Sequence, residues 1–268
     1  MALLCVVPKL SAETGVKPIT SVPSIRSLSR EEAAKALPVK LTGVVTFLGW
    51  EDFAIHDGNA SIFADFRFSK ARGFWKGPIP ESRELAQGSV VEVEGVTDPG
   101  GFSPMVLVTK FRRIGDGALP SPIRPSMDKL LSSSLNSQWV EVEGVVRKHS
   151  HGLPGPDCLT LVVGGHSCPV LLSNRSQRTP AQLVDAKVRV RGVVLDLANL
   201  RSQVAGLKIH SNGDQDIEIL VPPSDDPFQA PKVALNRLIP FDPNAELGHR
   251  KVSSGVVTFA VPGRFFYL

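Results

Sequence analysis

The six-residue string VEVEGV occurs twice in this chain, at Val91–Val96 and Val140–Val145. Looser copies sit at Val39–Val45 (VKLTGVV), Val188–Val194 (VRVRGVV) and Val252–Val257 (VSSGVV). Five versions of one strand motif mark an internal repeat, which governs every later reading. The glycine serves as the ruler. Gly43 and Gly144, Gly95 and Gly192, and Gly144 and Gly255 each lie about 100 residues apart, the size of a small domain. Each complete module therefore carries the motif twice.

Composition agrees with a folded chain of short strands. Of 268 residues, 42% are hydrophobic and 21% charged, which excludes a wholly disordered chain. Gly 23 and Pro 22 point to many turns. The net charge of +4 is too small to imply nucleic acid by itself. No apolar run reaches the roughly 20 residues of a membrane helix. Residues 1–12 read as the end of a secretory signal: an apolar burst, Met1–Val7, then small residues before a cleavage point near Ala12. The basic start of such a signal is missing, and export is the expectation.

Residues 13–125 form the first module. Residues 13–28 read as a leader or linker. Ser29 and Glu32 make a capping box for a short helix over Glu31–Leu37, ended by Pro38. Strands follow at Val39–Leu48, Phe53–His56, Ser61–Phe66, Ser89–Val96 and Pro104–Ile114, with an insert over 67–87. Five strands, a glycine in the first and a long third-to-fourth connection are the order of an OB-type barrel. Residues 126–222 repeat it: a helix from Ser126, strands at Trp139–Lys148, Leu159–Val163, Ser167–Leu172, Lys187–Leu195 and Gln203–His210, a capped helix at Thr179–Val184, and a closing strand at Asp216–Val221. Residues 223–268 are a linker, a third helix at Val233–Leu238 and the start of a third module. Its GVVTF at Gly255–Phe259 is identical to Gly43–Phe47. The fold class is thus all-β: tandem OB-like five-stranded barrels, each led in by a short helix, with the third module cut short. A fragment of a longer protein is the expectation.

The stretches Ile25–Phe47 (IRSLSREEAAKALPVKLTGVVTF), Asp52–Phe66 (DFAIHDGNASIFADF) and Gly88–Val146, with its VEVEGVT-PGGF pair and QWVEVEGVV restart, carry a resemblance. The chain resembles the N-terminal extracytoplasmic tandem OB-like region of bacterial multidomain sensor histidine kinases over nearly all of residues 24–268. The resemblance implies sensing or assembly outside the membrane, as the periplasmic part of an inner-membrane protein. It implies an unidentified ligand or protein partner there, and membrane attachment only through a C-terminal segment absent from this sequence. Kinase activity would belong to that absent part.

The residues themselves offer no catalytic set, no cofactor motif and no metal motif. His56-Asp57 reads as a turn rather than a base with its orienting acid, because no nucleophile motif accompanies it. His149, His151 and His166 lie near Cys158 and Cys168, but no C-x-x-C or H-x-x-x-H spacing appears. A hairpin turn at Gly164-Gly165 puts Cys168 opposite Leu161 and Cys158 opposite Leu171, on opposite faces, so two free thiols are expected. Glu92, Glu94, Glu141 and Glu143 read as the solvent face of half-buried strands, with Arg189 and Arg191 in equivalent outward positions. Trp139 reads as a packing residue between modules. The one candidate binding patch interleaves rings and cations: Phe66, Arg67, Phe68, Lys70, Arg72, Phe74, Trp75 and Lys76. That combination is used for single-stranded nucleic acid, for a peptide, glycan or protein partner, or simply as a loop capping the barrel. Nucleic acid is the rival reading, disfavoured because the cluster falls in the insert rather than on strands two and three.

Overall fold

A computed structural model describes residues 17–77, 85–152, 155–199, 204–238 and 248–268. The signal-like residues 1–12, Cys5, and part of the insert lie outside them. In the first module, α1 (Val22–Arg26) and α2 (Arg30–Ala33) precede β1 (Pro38–Leu48), β2 (Asp52–His56), β3 (Ser61–Asp65), α3 (Arg67–Ala71), β4 (Ser89–Asp98) and β5 (Met105–Asp116). The strands close a barrel in the order β1-β2-β3-β5-β4, with β3 and β5 parallel. In the second, α4 (Met127–Leu131) leads into β6 (Trp139–Ser150), β7 (Asp157–Val163), β8 (His166–Leu172), α5 (Pro180–Leu183), β9 (Lys187–Ala198) and β10 (Val204–Ser211). These run β10-β8-β7-β6-β9, and β10 returns to β9 to close the ring. A further strand, β11 (Ile217–Val221), pairs with the Lys187–Val190 half of β9, while β10 pairs with its Val193–Ala198 half. Both modules are OB-like barrels. β12 (Phe259–Val261) and β13 (Phe265–Tyr267) form a separate hairpin.

The repeated glycine has one job in four places. Gly43, Gly95, Gly144 and Gly192 lie in β1, β4, β6 and β9, and β1 pairs with β4 as β6 pairs with β9. A Cβ added to them would stand 2.3 Å from His56 O, 2.4 Å from Leu107 O, 2.6 Å from Val162 O and 2.5 Å from His210 O. The sharply coiled strand brings its backbone against the next strand's carbonyl, and only glycine leaves room.

A second repeated device precedes each module. Ile19 bridges to Val39, Ile123 to Val140 and Lys232 to Val252, all parallel. A proline (Pro18, Pro122, Pro231) stands just before each bridging residue. The lead-in segment thus runs beside β1 and beside β6, and the third copy of the contact meets Val252, which lies outside the named strands.

Three expectations need correction. Residues 17–28 are not a linker: Ser21 caps α1, and Val22 and Ile25 are fully buried in the first core. The second helix, α2, is shorter than Glu31–Leu37, although its Ser29–Glu32 capping box is present. The third lead-in is only a 3-10 turn, Leu235–Arg237. The identical pentapeptides also diverge. Phe47 is 1% exposed in its barrel, whereas Phe259 is 55% exposed in the hairpin. Burial here comes from the closing strands, not from the local string.

The barrels share an apolar junction. Phe47, Ala54 and Phe63 of the first pack against Trp139 and Val193 of the second, with Trp139 only 3% exposed. His210 stands edge-on to Phe47 and Phe63. Two side-chain amides of the second barrel complete backbone pairing of the first. Gln138 accepts from Ser61 N (3.2 Å) and donates to Ser61 O (2.9 Å). Asn212 accepts from Leu48 N (2.9 Å) and donates to Thr46 O (3.0 Å). The Trp139 expectation therefore holds.

Candidate functional site between the barrels

OB barrels take ligands on the outer face of strands two and three and on the flanking loops. In the first barrel that face is filled. Phe53 and Ile55 of β2 and Ile62 and Ala64 of β3 point into the core, so Ala54 and Phe63 point outward, and the second barrel covers both. What stays open is the edge of this junction. There a cleft of about 540 Å³ forms where the β1–β2 loop of the first barrel meets the β6–β7 loop of the second. The two loops are equivalents in the repeat.

From the first barrel the cleft takes Phe47, Gly49, Trp50, Asp52 and Arg67. From the second it takes Gly152, Gly155, Pro156 and Asp157 of the loop, Leu171, Leu172, Ser173 and Arg175 at the end of β8, and Lys208 and His210 of β10. Trp50 is 93% exposed at the tip of its loop, an unusual place for the largest apolar ring. Three cations, Arg67, Arg175 and Lys208, share the cleft with an apolar wall of Leu171, Phe47 and Pro156.

The electrostatics follow from partial burial. Burial, with the carboxylate of Asp65 next in effect, pushes the Asp52 carboxyl up to about 6. Burial lowers the Lys208 ammonium. Burial, then the nearby Lys208 charge, pushes the His210 imidazole down to about 3, so it stays neutral at ordinary pH. Its Nε2 is buried with no hydrogen-bond partner.

One wall of the cleft continues into a cluster that short motifs did not reveal. His149 and His151 alternate at the end of β6, and Asp157 opens β7. The pairing runs His149 with Leu159 and Ser150 with Cys158, so the next rung sets His151 opposite Asp157. Alternate strand residues share a face, and His149 and His151 both turn to Asp157. His151 Nδ1 is 3.1 Å from Asp157 Oδ1, and His149 Nε2 is 3.7 Å from Asp157 Oδ2. The signal was present as H-x-H at the end of a strand, but the β6–β7 register that brings Asp157 to it is shifted by a bulge between Val146 and Lys148, out of reach of the turn arithmetic that placed the cysteines across β7–β8.

The predicted ring-and-cation patch is divided by its own helix. Phe66 is buried, its ring against Phe53, Trp75 and Phe111. Trp75 packs on the first core, and Phe74 is half-buried. These rings cap the barrel. Arg67 alone reaches the cleft, and its guanidinium also lies over the exposed ring of Phe68 at 4.8 Å. Arg72 pairs with Asp98. Lys70 and Lys76 are exposed. The eight residues are not one surface.

The other candidates resolve structurally. Asp57 accepts from Asn59 N (2.9 Å) and Ala60 N (3.0 Å) in the turn, and from Val22 N (2.7 Å) at the start of α1. His56 Nδ1 instead meets Ser61 Oγ at 3.0 Å. Cys168 faces Leu161 and Cys158 faces Leu171, and both thiols are free. Burial pushes the Cys168 thiol up to about 12, which leaves it inert. Glu141 corrects the outward-ladder reading. It is buried and held by Arg191 (2.8 Å), Arg124 (2.8 Å) and Arg189 (3.4 Å). Burial works to raise its carboxyl, and the Arg191 hydrogen bond with the other guanidinium charges overrides it, leaving it below the usual value. Arg189 and Arg191 therefore tie strands within one barrel.

No protein-family model matches the chain, and no curated protein matches it. Among solved structures it is similar to the OBody AM3L09 bound to hen egg-white lysozyme, at 21% identity over 38% of this chain and 98% of that one, with a TM-score of 0.28. It is similar to the hypothetical protein ygiW from E. coli, at 21% identity over 37% of this chain and 90% of that one, TM-score 0.26. It is also similar to the single-stranded DNA binding protein from Thermus aquaticus, at 15% identity over 72% of this chain and 95% of that one, TM-score 0.20.

Proposed function

We propose that this chain is a non-catalytic recognition region whose two barrels jointly hold one ligand in the cleft between them. In the wider protein it serves as the extracytoplasmic sensory part of a two-component type receptor. The single observation behind the recognition reading is that equivalent loops of both barrels converge on one cleft, while the first barrel's own ligand face is sealed. The receptor context rests on the sequence resemblance. The chemistry of the cleft favours an anionic ligand with a flat apolar part. Trp50 offers a stacking platform, Arg67, Arg175 and Lys208 offer charge-assisted hydrogen bonds, and the Leu171 wall takes apolar surface. A ligand gripping both loops would set the angle between the barrels, which is how occupancy would be passed along the chain.

Trp50 and the cations also favour a second reading, a short single-stranded nucleic acid, since rings with Lys and Arg serve that purpose. One experiment separates the two. Tryptophan fluorescence of the full chain is followed while adding aromatic carboxylates, nucleoside monophosphates or a thymidine oligonucleotide. The sensory reading expects saturable quenching by a small anion, lost in Trp50→Ala and weakened in Arg175→Ala. Binding confined to the oligonucleotide and falling steeply with salt would favour nucleic acid. Quenching unchanged in both variants would remove the cleft from either reading. A reporter fusion active only in the cytoplasm would remove the extracytoplasmic placement.

A further inference from the structure

We propose that His149, His151 and Asp157 bind one divalent transition-metal ion of the zinc class, with an open coordination position toward the cleft. This goes beyond the ligand reading and does not depend on it. The three side chains each offer one ligand atom, and these atoms all lie within 4.8 Å of one another. Ligands about 2.0–2.2 Å from a shared ion stand roughly 3–3.5 Å apart in a tetrahedron. The carboxylate turns one oxygen to each ring, Oδ1 at 3.1 Å from His151 Nδ1 and Oδ2 at 3.7 Å from His149 Nε2, so small side-chain rotations bring the three donors to that spacing around an ion.

The independent sign is His149. Its side chain is 0% exposed, and neither ring nitrogen has a hydrogen-bond partner. Buried polar groups are nearly always satisfied, and each exception calls for a cause. A distance of 3.7 Å to Asp157 is too long for a hydrogen bond, but suits two groups facing one cation. A simple His–Asp hydrogen bond accounts for His151 and leaves His149 unexplained. An ion accounts for both.

The surroundings fit. Asp157 Oδ2 accepts from Ser176 N (3.1 Å), which fixes the carboxylate as outer partners of metal ligands do. Ser176 Oγ in turn donates to Asp214 Oδ1 (2.7 Å), adding a second negative charge behind the cluster. Two imidazole nitrogens with one carboxylate select Zn²⁺ and its neighbours over Mg²⁺ and Ca²⁺, which favour all-oxygen shells. Three protein ligands leave a fourth position free, and Asp157 is itself part of the cleft wall.

The test uses the full chain, stripped with a chelator and titrated with Zn²⁺ by calorimetry. Co²⁺ serves as a spectroscopic probe. The expected result is one ion bound, with a Co²⁺ ligand-field spectrum of mixed nitrogen and oxygen donors. His151→Ala, at an exposed position that does not build the core, and His149→Gln each weaken binding about tenfold or more. His166→Ala, exposed at the β7–β8 turn, leaves affinity and spectrum unchanged. Far-UV circular dichroism confirms that each variant keeps its strands. An absence of binding to the wild-type chain overturns the proposal. So does a His151→Ala chain that binds as tightly, with the same spectrum, as the wild type.

Discussion

Replacing Gly144 with Ala probes the physical reason for the repeat. The added Cβ would lie 2.6 Å from Val162 O and 2.9 Å from Val163 Cγ2. The side chain can turn away, but the carbonyl belongs to the sheet and cannot. Relief requires spreading β6 from β7 at the point where the strand coils. Overpacking of this kind costs about 1–3 kcal/mol, and a backbone obstacle puts Gly144→Ala at the upper end. Gly192→Ala, facing Ile209 Cγ2 at 2.4 Å and His210 O at 2.5 Å, behaves alike. Two other glycines calibrate the result. Gly115 in β5 has nothing within 4 Å of its added Cβ, so Gly115→Ala is neutral or stabilising by up to about 1 kcal/mol. Gly255, in the third copy of the motif, meets the tip of Leu235 at 3.0 Å and Leu268 Cβ at 3.4 Å, side-chain atoms rather than a sheet carbonyl, so its change stays within about 0.5 kcal/mol. The assay is urea unfolding of the full chain by circular dichroism, with slopes compared to confirm that the transition keeps its character. If Gly144→Ala unfolds at the same urea concentration as Gly115→Ala, close approach is not why the glycine recurs.

Three further outcomes are expected. Trp139→Ala costs about 3–5 kcal/mol by emptying the junction core; calorimetry then separates one melting transition into two, and an unchanged profile contradicts the packing role. Glu141→Gln costs about 1–3 kcal/mol because Arg124, Arg189 and Arg191 lose a shared, buried acceptor, whereas Glu143→Gln, on the same face but exposed in its pair with Arg189, costs at most about 1 kcal/mol. Asp52 tests the cleft by pH. Its folded value, about 6, lies above the ordinary 3.8. The folded state therefore holds the proton more tightly, and stability from this group is full below 3.8 and lost as pH rises through 6. Asp52→Asn accordingly stabilises the chain by at most about 3 kcal/mol at neutral pH, and urea unfolding at several pH values shows the gain shrinking as pH falls toward 4. A gain independent of pH would contradict the assignment.

Much of the scaffold was legible because it repeats and alternates. The Gly164-Gly165 turn set the β7–β8 register without help from the rest of the chain, and VEVEGV marked β4 and β6. Other features were hidden for physical reasons. α1 is five residues long in a Ser- and Pro-rich stretch, too short for periodicity to separate it from a linker. Glu141 alternates like a solvent-facing residue, and only Arg124, arriving from the lead-in segment, reveals that its side chain is enclosed. The ring-and-cation patch failed as a surface because Phe66 enters the barrel one residue before Arg67 leaves it. The cleft draws residues from Phe47 to His210, and no local window contains that juxtaposition.

The central claim is that both barrels contribute to one recognition cleft. Hydrogen–deuterium exchange on the full chain, with and without the tightest small anion from the fluorescence series, tests it most directly. Joint protection of Gly49–Asp52 in one barrel and Gly155–Asp157 in the other is the expected result. Protection restricted to a single barrel, or centred on Phe68–Lys76, would contradict it.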